Sequence, residues 1–367
     1  MVATRPATGA NGQARHRAAR PTILVDGQEQ AGLASALVRL FAAEAMGGMA
    51  RCELTVSNWS LQAGGIGFTY FDRKLLDFGK RLELRVEAGS SVISLFDGRI
   101  TGLEAHFPQR QAPEVTVLAE DRLQDLRMTR RTRSFADLSD ADLVRQVAGD
   151  HGLTANVDLD GPTHRHIAQL NQSDLALLQD RCRMLDADLW VQDRTIAAVT
   201  RSRRGEQPVT ITQGQQLHEF TVLADLANQF TALNVGGWDV QGKEAIRHEA
   251  TANALGSELG NDLSGASILE QAFGERAETI VHTVPWSAEE GRTVAESLYR
   301  QGARRFVRGR GVADAQAGLA VGRTVTIEGV GPLFRGTYTV TEVTHQFDAA
   351  KGLRTAFAVE RPGLGKP

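Results

Sequence analysis

The sequence predicts an α+β, mainly β chain: two similar β-barrel domains with an inserted α+β module. Three observations carry this. The two ends repeat one pattern: Phe78-Gly79-Lys80-Arg81-Leu82-Glu83-Leu84 is followed by Phe96-Asp97-Gly98-Arg99-Ile100-Thr101-Gly102-Leu103-Glu104, and Val321-Gly322-Arg323-Thr324-Val325-Thr326-Ile327 by Phe334-Arg335-Gly336-Thr337-Tyr338-Thr339-Val340-Thr341-Glu342. Each copy then reaches a histidine, His106 or His345, with a phenylalanine close behind. The flanking segments alternate apolar and polar residues, the period of a half-buried strand. Residues 127–200 switch instead to helical spacing.

Residues 1–21 carry Arg5, Arg15, Arg17 and Arg20 without an apolar segment, and read as a flexible basic arm rather than a secretory signal. The first barrel domain spans 22–126. Thr22-Ile23-Leu24-Val25 is a strand ending at the turn Asp26-Gly27. The alanines of Leu37 to Ala45 favour helix, but Gly47-Gly48 and the alternating Arg51-Cys52-Glu53-Leu54-Thr55-Val56 favour a hairpin. Leu82, Leu84 and Val86 face one way and Glu83, Arg85 and Glu87 the other; Asp97-Gly98 reads as a tight turn before Ile100. Val115 and Val117 supply a further strand.

The inserted module occupies 127–200. Ser139 caps a helix carrying Leu143, Val144 and Val147 on one face and ending near Gly152. Ser173-Asp174 opens a second helix with Leu175, Leu178, Cys182 and Leu185 at helical spacing. Leu189-Trp190-Val191 and Ile196 to Val199 form a hairpin about Asp193-Arg194. A β segment at 201–245 leads to the second barrel. Residues 246–310 read as a loop and helix insertion, the loop from Ala250 to Gly265 and the helix opened by the capping box Ser287-Ala288-Glu289-Glu290. The second barrel covers 311–362, and 363–367 is a tail.

At 367 residues the chain has room for two or three cored domains. A net charge of −3 argues against a general nucleic-acid binder, and no apolar run approaches a membrane span. Cys52 and Cys182, far apart in apolar-polar patterns, read as buried thiols of a reducing cytoplasm. No catalytic, metal or cofactor set assembles. His164-Arg165-His166 lacks further ligands and reads as surface or interface histidines. Asp137, Asp140 and Asp142 match a helix N-terminus. Arg127 to Arg133 reads equally as a partner contact and as a solvated domain junction. Trp190 and Trp238 sit in strand patterns that imply burial, which counts against a carbohydrate- or receptor-binding module; a tail-borne cell-wall hydrolase is the other alternative.

Four sets of residues give the chain a family resemblance: Cys52 to Asn58 with Phe78-Gly79 and Phe96 to Thr101; Arg133-Ser134-Phe135, then Ile167-Ala168-Gln169-Leu170-Asn171-Gln172-Ser173-Asp174; Glu219-Phe220 through Val235-Gly236-Gly237-Trp238-Asp239; and Gly322, Gly336 to Val340, His345 and Thr355-Ala356-Phe357. In their order and spacing the chain resembles the phage late-control D proteins, tail hubs similar to the N-terminal part of VgrG spikes. The resemblance implies a homotrimer forming a pseudo-sixfold ring, which joins a hexameric inner tube to a trimeric spike among other baseplate proteins. It implies a structural part of a phage tail, tailocin or extracellular injection system, assembled in the bacterial cytoplasm and not an enzyme. VgrG-type chains continue into a needle; this sequence shows no needle repeat, so the spike is expected on a separate chain. The residues expected to matter for fold or assembly are Gly79, Gly98, Arg133, Gln169, Ser173, Asp174, Trp238, Gly322, Gly336, Tyr338 and His345, with Gly98 and Gly336 shaping paired turns.

Overall fold

The computed structural model describes residues 20–62, 64–88, 91–204, 207–239, 242–281 and 285–366. The basic arm, Arg20 and Pro21 aside, lies outside them. Strand β1 (Thr22–Val25) ends at Asp26 and Gly27, both with positive φ, as the turn predicts. The alanine-rich stretch divides: Ala31–Ala36 is helical, while β2 (Leu37–Ala45) is extended and forms a hairpin with β3 (Arg51–Ser57) about Gly47-Gly48. β4 (Arg81–Ala88) buries Leu82, Leu84 and Val86. Glu83 is buried too, contrary to the alternation, because Arg81 and Arg85 flank its carboxylate.

β5 (Ser91–His106) runs unbroken through Asp97 and Gly98, so no turn forms there. Gly98 serves a close approach instead: a Cβ at this position would stand 2.3 Å from the Glu120 carbonyl oxygen on β6 (Glu114–Glu120). The apolar faces of β1 to β6 enclose one core that includes Ile23, Leu54, Leu84 and Val117.

The next segment comprises β7 (Arg130–Ser139), α1 (Asp140–Asp150), β8 (Thr154–Asp158), β9 (Thr163–Ser173), α2 (Asp174–Met184), β10 (Ala187–Gln192) and β11 (Thr195–Thr200). Both helices start where their caps predict: Ser139 Oγ accepts from the Asp142 amide and Ser173 Oγ from that of Ala176. Gly152, φ +64°, follows α1. The helices pack Leu143, Val147, Leu175, Leu178 and Cys182 into a second core.

β12 (Val209–Thr212) and β13 (Leu217–Ala224) come next, then β14 (Ala232–Asp239), β15 (Glu244–Thr251), β16 (Ala277–Ile280) and α3 (Ala288–Arg304). The expected loop from Ala250 to Gly265 instead holds the end of β15, a 3-10 segment at Ala252–Glu258 and a two-residue strand at Leu263–Ser264. That strand pairs with Gly363–Leu364, so the expected tail is tied down. Leu255 and Val294 share a core with Leu233, Val235 and Tyr299, which is why small, polar composition did not leave this stretch irregular. The chain closes with β17 (Val307–Ala313), β18 (Thr324–Glu328), β19 (Gly336–Asp348) and β20 (Gly352–Arg361) around a further core that includes Val325, Tyr338, Val340 and Phe357.

The fold is thus mainly β. One sheet of 13 strands runs β13-β17-β20-β19-β2-β3-β6-β5-β4-β1 and ends on the two-residue strand Gln28–Glu29 beside β1, with β18 attached to β19 and β12 to β18. Most of its ladders are antiparallel, and it joins the two ends of the chain.

Candidate functional site

The sheet contains the same ladder twice. Leu54 of β3 lies opposite Leu40 of β2 and Val117 of β6; Gly311 of β17 lies opposite Phe220 of β13 and Phe357 of β20. The irregularities repeat as well. β2 bulges between Leu37 and Arg39 and β13 between Leu217 and Glu219; β5 bulges between Ile100 and Gly102 and β19 between Val340 and Glu342. A bulge is a local defect with a defined position, so matching bulges on matching strands fix the correspondence residue by residue.

That correspondence corrects the alignment read from the sequence. Counting from the bulges, Gly98 matches Tyr338 rather than Gly336, and His345 matches Ala105 while His106 matches Gln346. A one-residue offset reverses the face. His345 is accordingly buried, its Nδ1 2.9 Å from Thr355 Oγ1, while His106 is exposed. Burial lowers the His345 pKa to about 4 and keeps its ring neutral.

The two units meet along a seam. β19 pairs with β2 from Glu342 opposite Ala45 to Asp348 opposite Arg39. Phe347, 4 % exposed, crosses the seam and packs in the core of the first unit.

Several of the residues singled out in the sequence gather in polar clusters that fasten the pieces. Arg133 Nη2 donates to Asp174 Oδ1 (2.9 Å) and its Nε to Gln169 Oε1 (2.8 Å). Gln169, fully buried, donates on to Asp174 (2.8 Å), and His151 Nε2 lies 2.8 Å from Asp174 Oδ2. Burial alone would raise the Asp174 pKa, but the hydrogen bonds from His151 and Gln169 and the charges of Arg133 and Arg131 hold it below the usual range. Ser173 caps the helix that carries Asp174. Asp140, His164 and Arg181 form a neighbouring cluster, with His164 Nε2 2.9 Å from Asp140 Oδ2, so His164 is a half-buried partner within the chain while His166 is exposed.

Gly322 (φ +75°) makes room for a strut. A Cβ there would stand 1.4 Å from Arg204 Nη1, and Arg204 crosses the gap to Asp188 Oδ2 (2.9 Å) and the Val321 carbonyl (3.1 Å) while stacking over Trp190. Gly336 (φ +138°) likewise leaves space for the Arg361 guanidinium, which lies over the Tyr338 ring. Tyr338 donates its hydroxyl to the Phe334 carbonyl, and burial pushes its pKa up to about 12. Gly79 (φ +80°) donates its amide to Ile100. Trp238 stands apart, 52 % exposed, against the burial expected from its strand pattern.

Sequence reasoning missed the strongest cluster. Arg304, at the last turn of α3, is buried with Asp186 (2.5 and 2.7 Å) and Glu258 (2.7 Å). Burial opposes its charge, but the two carboxylates outweigh burial and raise its pKa. The three members of this cluster lie far apart in sequence, and the only signal was a basic residue at a helix end. The run Arg127 to Arg133 is mostly exposed, yet its arginines have partners within the chain: Arg127 pairs with Glu120, Arg131 with Asp174 and Arg130 with the Asn171 carbonyl.

Two clefts border these clusters. One of about 290 Å³ is lined by Asp186, Asp188, Arg201 and Glu360, and one of about 720 Å³ by Gln229, Arg276, Glu278 and Arg305. Asp186, Asp188, Arg201 and Glu360 are engaged in ion pairs with one another or with Arg304 and Arg204. Among the described residues no three His, Cys, Asp or Glu side chains are placed to hold a metal ion, and no helix is long and apolar enough to cross a membrane.

A model of the Alg8 N-terminal domain family matches residues 16–349. No curated protein matches the sequence. Among solved structures, the 43 kDa tail protein of prophage MuSo2 from Shewanella oneidensis superimposes with a TM-score of 0.70 at 12% identity, over 94% of this chain and 98% of that one. A tail protein from Neisseria meningitidis MC58 gives 0.65 at 10% identity, over 95% and 98%. An Escherichia coli component of the type VI secretion system, similar to bacteriophage T4 tail proteins, gives 0.53 at 11% identity, over 90% and 76%. The fold is that of phage tail proteins.

Proposed function

The chain belongs to the Alg8 N-terminal domain family, and from its tail-protein fold we propose a structural role: the baseplate hub of a contractile injection machine. The hub is a homotrimer. Each chain supplies two similar units, each wrapping its own core as a barrel, so three chains present six related surfaces about one axis. A threefold assembly of this kind can dock a hexameric inner tube on one side and a trimeric spike, carried on a separate chain, on the other. Its work is mechanical: it positions the spike, seeds the tube and passes force when the sheath contracts, among other baseplate proteins and without turnover of a substrate.

The observation that carries this reading is the ladder that recurs with the same bulges in both units. In this reading the two units fall within 22–126 and 201–362, and the 127–200 module and the 246–310 insertion are outworks fastened by the Arg133, Arg204 and Arg304 clusters. Arg133, Gln169, Ser173, Asp174, Gly322, Gly336, Tyr338 and His345 act by holding these pieces in place; Gly79 and Gly98 shape the first unit, and Trp238 offers a partner contact.

The test is a cryo-electron-microscopy reconstruction of the chain co-expressed with the genes flanking its own. The expected particle is a threefold ring with pseudo-sixfold symmetry, tube on one face and spike on the other. A monomer that joins neither would overturn the proposal.

A further inference from the structure

The seam inside the chain has a half-finished duplicate on its surface. In the second unit, β19 uses one edge twice: its start pairs with β18 and its remainder, Glu342 to Asp348, pairs with β2. In the first unit, β5 starts the same way, with Ser91 to Arg99 pairing β4. Beyond Ile100, which still bonds to Gly79 and Lys80, no strand among the described residues pairs with β5 on that side. β2 has its counterpart in β13, the last strand of the sheet, whose outer edge past the bridge of Leu217 to Gln213 is likewise unpaired among the described residues. The chain therefore exposes both halves of a joint it has already made once internally.

The side chains match this account. Phe347, buried across the internal seam, corresponds to Phe107, which is 61 % exposed even with the rings of Phe68 and Phe71 beside it. On β13, Leu223 is 53 % exposed at the place where β2 has Ala43. Exposed apolar strand edges invite pairing with another strand. The two edges cannot meet within one chain in the arrangement seen, because each end of the sheet already holds its own unit, so the occupant is a second copy.

We propose that β13 of one copy pairs antiparallel with β5 of the next, in the register of the internal seam. Carrying over the pairs of β2 and β19 places Gly102 opposite Asp225, Glu104 opposite Leu223, His106 opposite Thr221 and Phe107 opposite Phe220. Phe107 then enters the core of the neighbour's second unit, as Phe347 enters that of the first. The contact is heterologous, and every copy has one edge of each kind. A constant rotation between successive units closes such contacts into a ring, and with two units per copy three copies give six joints alternating between internal and intermolecular. This inference rests on the hub reading and names the surfaces that build its trimer.

The register supplies a sharp test. Met46 donates its amide to the Thr341 carbonyl, which makes them a hydrogen-bonded pair. Alternation along the ladder makes Ala43 and Thr344 a non-hydrogen-bonded pair, where opposite side chains stand closest. Their counterparts are Leu223 and Glu104. The double variant Glu104→Cys, Leu223→Cys is expressed with the flanking genes and oxidised mildly. Glu104→Cys, Glu219→Cys serves as the control, displaced by about 13 Å along the strand, beyond disulfide reach. Both native cysteines are buried.

The expected result is a covalent trimer as the largest disulfide-linked species for the first variant and none for the control. A native-mass trimer with no disulfide in the first variant would overturn the strand pairing and leave the hub reading standing. Equal cross-linking in both variants would overturn the register. A chain that stays monomeric by native mass would overturn both.

Discussion

Acidification should loosen the seam at His345. The imidazole is buried between β2 and β20, and its folded pKa is about 4 against an ordinary 6.5. The unfolded chain therefore takes up this proton first as pH falls. Stability from the neutral ring is complete above about pH 6.5, is lost as pH drops toward 4, and levels off below that. Between pH 7 and pH 4.5 the linkage relation gives a loss of about 2 kcal/mol from this one group. Urea unfolding at both pH values, on the wild type and on His345→Gln, isolates the effect, because the carboxylates titrate alike in both and the glutamine can keep a bond to Thr355. The wild type should lose about 2 kcal/mol more than the variant over this range. An identical pH dependence in the two proteins would refute the argument, since the histidine would then have no folded-state penalty for its proton.

Other positions make independent tests. Gly336→Val forces a β-branched residue into φ +138° against Arg361, and should cost about 2–3 kcal/mol, read as a lower thermal midpoint and fewer assembled particles. Arg304→Met strands Asp186 in a buried site and should cost about 3–5 kcal/mol in urea; a loss under about 1 kcal/mol would show that the cluster does not fasten α3. Gly98→Ala drives a methyl against the Glu120 carbonyl and should lower stability by at least about 1–3 kcal/mol, while Gly149→Ala, inside α1 with nothing within 4 Å, should raise it by up to about 0.5–1 kcal/mol.

Local features were the most legible in the sequence. Ser139, Ser173 and Ser287 cap helices because a hydroxyl three residues before an amide answers an otherwise unpaired donor, a purely local event. The β2–β3 hairpin followed from alternation and from Gly47 with its positive φ. Asp97-Gly98 misled because the same dipeptide serves a turn or a close strand approach, and only the neighbouring Glu120 carbonyl decides between them. Trp238 misled because a strand pattern states which residues alternate, not whether anything covers them.

By itself the sequence determined that the chain is mainly β, that its ends are related, and where its helices begin, since these depend on residues close together along the chain. The tertiary structure alone decided the register of the two copies, the seam between β2 and β19 and the Asp186–Glu258–Arg304 cluster. Each of these brings together residues distant in sequence. A strand's side chains repeat every two residues, so many registers satisfy the same pattern, and only packing against a particular neighbour selects one.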